Sequence, residues 1–540
     1  MKTLLPRIVA ALASGAVLAI ISPPLNLHWL HWFSFLPLFW ALRSGEHKRN
    51  AWLGYLAGWV GVFLLFSWLI DTIVIFSNIP WVLALPIHMV FASVFALPYA
   101  VVFGSVHWFR QRLGTWWVVV VPAVQVAMEQ LSPALFPYYH GVGQYRVPWV
   151  WQLASVTGVM GLSYLVFLTN TMFAEALYRA REGRKQAWGV TGAVVAVFLA
   201  NLGFGAWRYG RLHAEIQRAP VLHAAILQQD VTMQQRLDES ALQALAAWVK
   251  STHRIADEGA DLVVWPEGAV AFNPDGKRLL KRLGDRSPRQ FFEQMAGSGD
   301  FDLLMGGGSI EMDPTDEAGR RYTAYNSAYE FTRDGALADR YDKMVPLPFG
   351  EYIPFSQTFP WLRELVQGVG DFRAGSRPTV FRGTASDGQS YTFTVPICYE
   401  AILASAMWTL FQGEDDGTPL SEKPAAHGPV DLFVNITNDA WFGNTASPRQ
   451  HAMLAAAQAT EFGRPMLRVA YTGISFVVEP DGDILYETEP FTDVEKVVDL
   501  HLAKVDTLYV HGGRFFGWLC ALGALGAAIV GRKRTQKLPL

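Results

Sequence analysis

The chain has 540 residues, too many for one ordinary domain, and 51% of them are apolar, with 20 Trp and 34 Phe. That combination implies a membrane part joined to a globular part. With 44 Lys and Arg against 47 Asp and Glu, the net charge of −3 offers no basic surface for a polyanion and argues against nucleic acid as a partner. Apolar runs crowd residues 1–209 and 513–531, whereas 211–506 has the mixed charge of a water-soluble fold.

About eight apolar segments approach the roughly 20 helical residues that a hydrocarbon core of about 30 Å requires. They are residues 7–22, 27–42, 51–70, 81–108, 116–131, 159–177, 188–207 and 514–530. Basic residues fall in alternate connections: Lys2 and Arg7; Arg43, Lys48 and Arg49; Arg110 and Arg112; Arg179, Arg181, Arg184 and Lys185; and Arg532, Lys533, Arg534 and Lys537. The intervening 23–26 and 71–80 carry no Lys or Arg. The positive-inside rule then predicts cytoplasmic termini, seven crossings before an extracytoplasmic soluble part, and an eighth that returns the chain. A cleaved signal peptide at the start is disfavoured because the next apolar segment follows within a few residues. The expected parts are thus a seven-helix bundle over 1–210, a soluble domain over 211–506, and a last helix with a basic tail over 507–540.

Polar residues inside the apolar segments include His88, Glu129 and Glu175, and such groups are functional candidates by default. Glu175 lies near a cytoplasmic end and can reach the interface, whereas Glu129 reads as a hydrogen-bonding residue within the bundle. The loop 132–152, with Tyr138, Tyr139, His140, Trp149 and Trp151, has the composition of an aromatic belt at the outer interface.

From Val221 onward short β-rich runs alternate with helical stretches. Strands are expected at 221–228, 262–265, 303–308, 323–331, 391–397, 431–436, 466–470, 475–479 and 483–487, and helices at 239–258, 288–295 and 449–462. Pro480-Asp481-Gly482-Asp483 is a hairpin signal between the last two strands. The pattern predicts an α/β domain of two sheets covered by helices. Residues 414–427, rich in charge and Pro, read as an exposed insertion, and 352–370 and 410–427 as candidate lids.

Three strand or loop ends carry the residue types of nucleophilic catalysis. The run Val395-Pro396-Ile397-Cys398-Tyr399-Glu400 presents a thiol at a strand end, and the chain's other cysteine, Cys520, lies in the last apolar segment. An unpaired thiol in an oxidising compartment is a candidate reactive group, although a free cysteine is also an ordinary small buried hydrophobe. Glu267, in Trp265-Pro266-Glu267-Gly268, can act as general base to a thiol. Lys343 can lower the thiol's pKa and stabilise an oxyanion, and Glu351 can hold Lys343 or the base in place. Taken singly, Glu267 and Lys343 also fit surface charges. His451 follows an ordinary loop and is not assigned to the site. Neither metal-ligand clusters nor a phosphate loop stands out, so no metal or other cofactor is expected.

Taken together, Trp265-Pro266-Glu267, Lys343 with Pro348-Phe349-Gly350-Glu351-Tyr352-Ile353-Pro354, Ile397-Cys398-Tyr399-Glu400 and Asn435-Ile436-Thr437-Asn438-Asp439-Ala440-Trp441-Phe442-Gly443 resemble the motifs of the carbon–nitrogen hydrolase (nitrilase) superfamily. Eight membrane segments split seven and one around that domain narrow the resemblance to the bacterial apolipoprotein N-acyltransferases. The resemblance implies an αββα sandwich with Glu267, Lys343 and Cys398 as catalytic triad and Glu351 as supporting carboxylate. Tyr399 and Glu400 would line the site, Asn438 and Asp439 would fix the loop beside the nucleophile, and Trp441 and Phe442 would pack on acyl chain or bilayer. Arg464, in Gly463-Arg464-Pro465, is read as structural. One departure concerns Leu237, near the place where relatives often carry Trp. The implied partners are a phospholipid acyl donor, phosphatidylethanolamine-like, and a diacylglyceryl apolipoprotein acceptor, with a thioester intermediate in the inner membrane. A membrane-tethered amidase acting on a small amide is the alternative.

Overall fold

A computed structural model describes residues 4–77, 79–132, 135–183, 187–230, 241–312, 322–356, 358–359, 361, 371–413 and 430–535. Leu237 and the expected insertion at 414–427 lie outside the described residues, as do 362–370 of the candidate lids. The chain divides into two compact units, one of Met1–Asp71, Pro80–Arg211 and Thr507–Leu540, the other of Thr72–Ile79 and Leu212–Asp506.

The first unit is helical. Among the described residues four helical stretches are long and apolar enough to cross a membrane: Trp81–Leu131, Val159–Arg181, Thr191–Ile216 and Gly513–Lys533. A fifth is added if His47–Leu65 and Trp68–Ser77, bent by 56°, form one span, and Leu5–Ile20 is a shorter apolar helix. The expectation of eight is therefore not met on length and hydropathy, for two reasons. Expected segment 27–42 breaks into a 3-10 turn, His28–Phe33, and a six-residue helix, Leu36–Ala41. The 51 residues of Trp81–Leu131 would be about 75 Å long as one helix, far beyond a bilayer. They are three helices, Trp81–Phe95, Leu97–Leu113 and Trp117–Leu131, the last two packed on each other.

The three ionisable groups singled out in this unit each have a partner. Glu175 is buried, 2.8 Å from Arg110 Nε and 2.7 Å from Arg179 Nε, and accepts from Trp117 Nε1 at 2.9 Å. Glu129 accepts from the His140 backbone N–H, and His88 Nε2 lies 2.9 Å from the Phe63 carbonyl. The loop expected as an aromatic belt packs inward at His140 and Trp151, both buried, while Trp149 is exposed.

The second unit is the expected α/β sandwich. Its strands are β1 (Val221–Gln228), β2 (Leu262–Val264), β3 (Asp302–Met312), β4 (Tyr322–Phe331), β5 (Leu337–Asp342), β6 (Phe381–Thr384), β7 (Ser390–Thr394), β8 (Leu432–Asn438), β9 (Met466–Tyr471), β10 (Phe476–Val478), β11 (Ile484–Glu487) and β12 (Val494–His501). They form two six-stranded sheets, ordered β12-β1-β2-β3-β4-β5 and β11-β10-β9-β8-β7-β6. The central pairs β1/β2, β2/β3, β7/β8 and β8/β9 are parallel. Strands β5, β6 and β12 are not anticipated in the sequence. The last of them pairs antiparallel with β1 along eight residues, Val221 opposite His501.

Alternation sorts each strand between two cores. Leu222, Ala224 and Ile226 join Leu262, Val264, Leu432, Val434, Leu467 and Val469 between the sheets. Ala225, Leu227, Val263 and Leu303 face the other way, under Trp248 of the Ala241–Ala256 helix and Phe292 of Pro288–Gly299. Outside the second sheet, Phe433 meets Phe411 of Ala404–Gln412 and Phe462 of Ser447–Phe462. Four layers result, with the parallel strands buried on both faces.

Candidate active site

In an open parallel arrangement, loops at the carboxyl ends of the strands carry function. Glu267 follows β2, Lys343 follows β5, Cys398 follows β7, and Asn438 ends β8. Trp265, fully buried, stacks on Trp248 and donates to Thr252 Oγ1 at 2.9 Å, which anchors the turn that presents Glu267. That turn lies directly against β3 at Gly306. A Cβ there would stand 2.5 Å from the Pro266 carbonyl oxygen and 2.7 Å from Glu267 Cα, so only glycine admits the carboxylate at this height.

The acidic residues are gathered around one cation. Lys343 Nζ lies 2.7 Å from Glu351 Oε2 and 3.6 Å from Glu267 Oε1, as an ion pair without a well-aligned hydrogen bond. Asn326, on β4, joins the two carboxylates by donating to Glu267 Oε1 at 2.7 Å and to Glu351 Oε1 at 2.6 Å. The backbone N–H of Asn438 reaches Glu267 Oε2 at 2.7 Å, and that of Leu347 reaches Glu351 Oε2 at 2.6 Å. Burial pulls the Lys343 pKa down, but Glu351 and then Glu267 outweigh it and hold the ammonium above its ordinary value. Lys343 is therefore a fixed positive charge in a dry site.

Cys398 opens a 3-10 turn, Cys398–Ile402, with a left-handed φ of 52°. It is buried, and burial pushes its thiol well above the usual range; Glu267 adds to the push while Lys343 pulls against it. The thiol rests neutral and needs a base at the moment of attack. Glu400 braces the turn from beneath: Oε2 accepts from the Ile397 N–H at 2.8 Å, and Oε1 from Tyr341 OH, Met344 N–H and Val345 N–H at 2.8, 2.8 and 3.0 Å. Burial pushes Glu400 up to about 7 against the pull of Lys343 and those donors. Glu400 thus ties the Cys398 turn to the Lys343 loop.

The residues singled out in the sequence do not stand alike. Glu267, Lys343, Glu351 and Cys398 share one electrostatic neighbourhood. Tyr399 is buried beside the thiol, within electrostatic reach of Tyr352 and Lys343. Asn438 touches Glu267 through its backbone, its side chain capping the Asp439–Phe442 turn at Ala440 N–H. Trp441 stacks on Phe76, ring centroids 4.7 Å apart, so protein covers part of a ring expected to meet lipid. Phe442 is buried, its ring centroid 6.5 Å from that of His451. Arg464 is buried on backbone carbonyls of Val430, Gly463 and Val505. Asn326 and Arg468 escape the sequence reading, and His451, considered there but not assigned to the site, brings Nε2 within 3.3 Å of the Cys398 carbonyl. A signal for Asn326 exists only in hindsight of pairing: it lies opposite Gly308 in the glycine-rich β3.

Comparison with known proteins matches residues 14–172 to the apolipoprotein N-acyltransferase N-terminal domain family and residues 223–509 to the carbon-nitrogen hydrolase family. Curated relatives named apolipoprotein N-acyltransferase include one from Geobacter metallireducens, 28% identical over 97% of this chain and 95% of that one. Others come from Bdellovibrio bacteriovorus, 28% identical over 93% and 89%, and Brucella melitensis, 28% identical over 95% and 92%. Among solved structures, an amidase from Nesterenkonia sp. AN1 is matched at 17% identity and a TM-score of 0.36, over 54% of this chain and 94% of that one. The second family match spans more than half of the 540 residues: the chain belongs to the carbon–nitrogen hydrolase family, and its likeness to apolipoprotein N-acyltransferases runs through both of its units.

Proposed function

We propose that the chain is a membrane-bound N-acyltransferase that moves an acyl group from a phospholipid to the α-amino group of a lipoprotein's diacylglyceryl cysteine. The observation that carries this reading is the buried Cys398 thiol held within electrostatic reach of Glu267 and Lys343, which are themselves 3.6 Å apart. Glu267 takes the thiol proton as sulfur attacks the ester carbonyl, and Lys343 with the Tyr399 N–H stabilises the oxyanion. The C–O bond breaks, lysophospholipid leaves with the proton, and a thioester remains on Cys398. The acceptor amine then attacks the thioester, Glu267 takes its proton, and the amide product departs as the thiol re-forms. Such a cycle is ping-pong. Glu351 and Asn326 keep Lys343 and Glu267 in register through it. The alternating basic residues support an odd number of crossings before Leu212, hence an extracytoplasmic site and cytoplasmic termini.

The test is intact mass after incubating the full chain, in detergent, with phosphatidylethanolamine alone. A gain of one fatty acyl group, released by neutral hydroxylamine and absent in Cys398→Ala, is the expected result. A folded protein that gains nothing from phospholipid yet hydrolyses small amides would replace this reading with the amidase.

A further inference from the structure

Cys398 holds a left-handed φ of 52°, a conformation that costs a side-chain-bearing residue energy and persists only where its surroundings over-determine it. Its carbonyl oxygen is met by His451 Nε2 at 3.3 Å. A ring nitrogen that faces a carbonyl carries the proton and donates it. The other ring nitrogen, Nδ1, lies 2.8 Å from Asp439 Oδ1 and 3.1 Å from Arg468 Nη2. Arg468 closes the set: Nη2 is 2.9 Å from Asp439 Oδ2, Nε donates to the Ile474 carbonyl at 3.1 Å, and Nη1 donates to Asn435 Oδ1 at 2.5 Å. Asn435 in turn donates to the Pro396 carbonyl at 2.7 Å, two residues before the nucleophile.

Every member of this network is buried. Burial pushes Asp439 up, but Arg468 and then His451 outweigh it, and the carboxylate is held below its ordinary range. Space is reserved for that carboxylate at Gly473, where an added Cβ would stand 2.2 Å from Asp439 Oδ2. The chain thus braces the thiol's backbone from both sides with groups that take no part in proton transfer.

The Cys398 carbonyl and the Tyr399 N–H are the two ends of one peptide. Because that unit is planar and trans, fixing the direction of the carbonyl fixes the direction of the N–H, and a donor on the oxygen also polarises the N–H. We propose that His451, seated by Asp439 and Arg468, is a positioning residue for acylation: by binding the Cys398 carbonyl it aims the Tyr399 N–H at the oxygen of the acyl group that Cys398 attacks. This rests on Cys398 being the acyl-accepting nucleophile proposed above.

A purely structural brace would affect all chemistry of Cys398 alike, whereas an aimed N–H matters only where an oxyanion forms. The experiment therefore compares two reagents on the same thiol, in the full chain in detergent. With p-nitrophenyl butyrate the S–C bond forms, nitrophenolate leaves and the thiol proton passes to the base, through an oxyanion. With iodoacetamide, sulfur displaces iodide and no oxyanion forms. The His451→Ala variant should lose about 10- to 100-fold in the nitrophenolate burst rate, with alkylation changed by less than about twofold. His451→Gln, which keeps an N–H donor, should recover most of the loss. Should the alanine variant fail to fold, Asp439→Asn, which unseats the ring with an isosteric group, should lower the same ratio. Equal slowing of both reactions, no slowing of either, or a glutamine variant as slow as alanine overturns the proposal. Wild-type acylation by the soluble ester but not by phosphatidylethanolamine would remove the lipid reading and leave this one standing. A wild-type thiol that alkylates but takes neither acyl donor would remove both.

Discussion

The two poles of the sandwich bury carboxylates in opposite ways. At the carboxyl ends of the parallel strands, Glu267 and Glu351 share Lys343 and Asn326 and take backbone donors besides. At the amino ends, Asp261, Asp302 and Glu330 crowd together with the buried Tyr391, whose hydroxyl finds no hydrogen-bond partner among the described residues. The cation there, Arg333, stands off at 3.8 Å from both Asp261 and Asp302. Burial, then Asp302, pushes Glu330 well above the carboxylate range, and the Arg382 backbone amide offsets little of it. What differs between the poles is whether a fully buried cation is spent against the acids gathered there. One pole sets a buried cation against its acids, and at the other the protonated form of Glu330 is favoured.

The strongest way to break that contrast is to remove the cation. Lys343→Met should leave two buried carboxylates facing each other, at a cost of about 3–5 kcal/mol in stability. It should also lower the acylation burst by about 100- to 1,000-fold, the effect of losing one oxyanion donor. Burst kinetics and denaturant melts read both quantities, and a variant as stable as the parent would mean that pairing is not what holds this pole together.

Asn326→Leu is the next step down. It removes two hydrogen bonds to charged oxygens, each worth about 1.5–3 kcal/mol, while Lys343 remains to hold the acids. A fall in burst rate smaller than that of Lys343→Met, with a lower melting temperature, is expected. An unchanged burst would show that Glu267 needs no side-chain bridge to Glu351.

The smallest effect belongs to the other pole. Because the folded pKa of Glu330 is raised above 4.5, its contribution is fully present below that pH and is lost as pH rises through the folded value. Glu330→Gln, which cannot ionise, should leave the burst rate untouched. It should melt a few degrees higher than the parent at pH 8, with the gap closing toward pH 4.5. A gap that widens on acidification would reverse the assignment.

Legibility in the sequence followed the locality of each signal. Cys398 and Glu267 sit at ends of apolar or β-rich runs beside Pro or Gly, so each advertises a strand end, whereas Lys343 was legible only as a charge among Asp342 and Pro346, the strand before it being unanticipated. Asn326 lies inside a strand, at Tyr325-Asn326-Ser327, and reads as an ordinary polar position until β3 and β4 pair. Arg468 likewise reads as a surface residue of Leu467-Arg468-Val469, yet it is fully buried because Asp439 and Asn435 arrive from β8 and its turn. Strand β12 was hidden for a related reason: Val494-Glu495-Lys496-Val497 is amphipathic and charged, as suits an edge, and its partner β1 lies far back in the chain.

By itself the sequence determined the two-part composition, the α/β alternation and the order of the motif-bearing strand ends, since these depend on hydropathy and period within short windows. Only the tertiary structure decided which polar side chains neutralise one another. The pairing of Lys343 with two acids, the bridge at Asn326 and the His451 contact behind Cys398 join positions that no local pattern connects. They exist because the sandwich brings separate strand ends to one dry pole, where an unpaired charge would be too costly to keep.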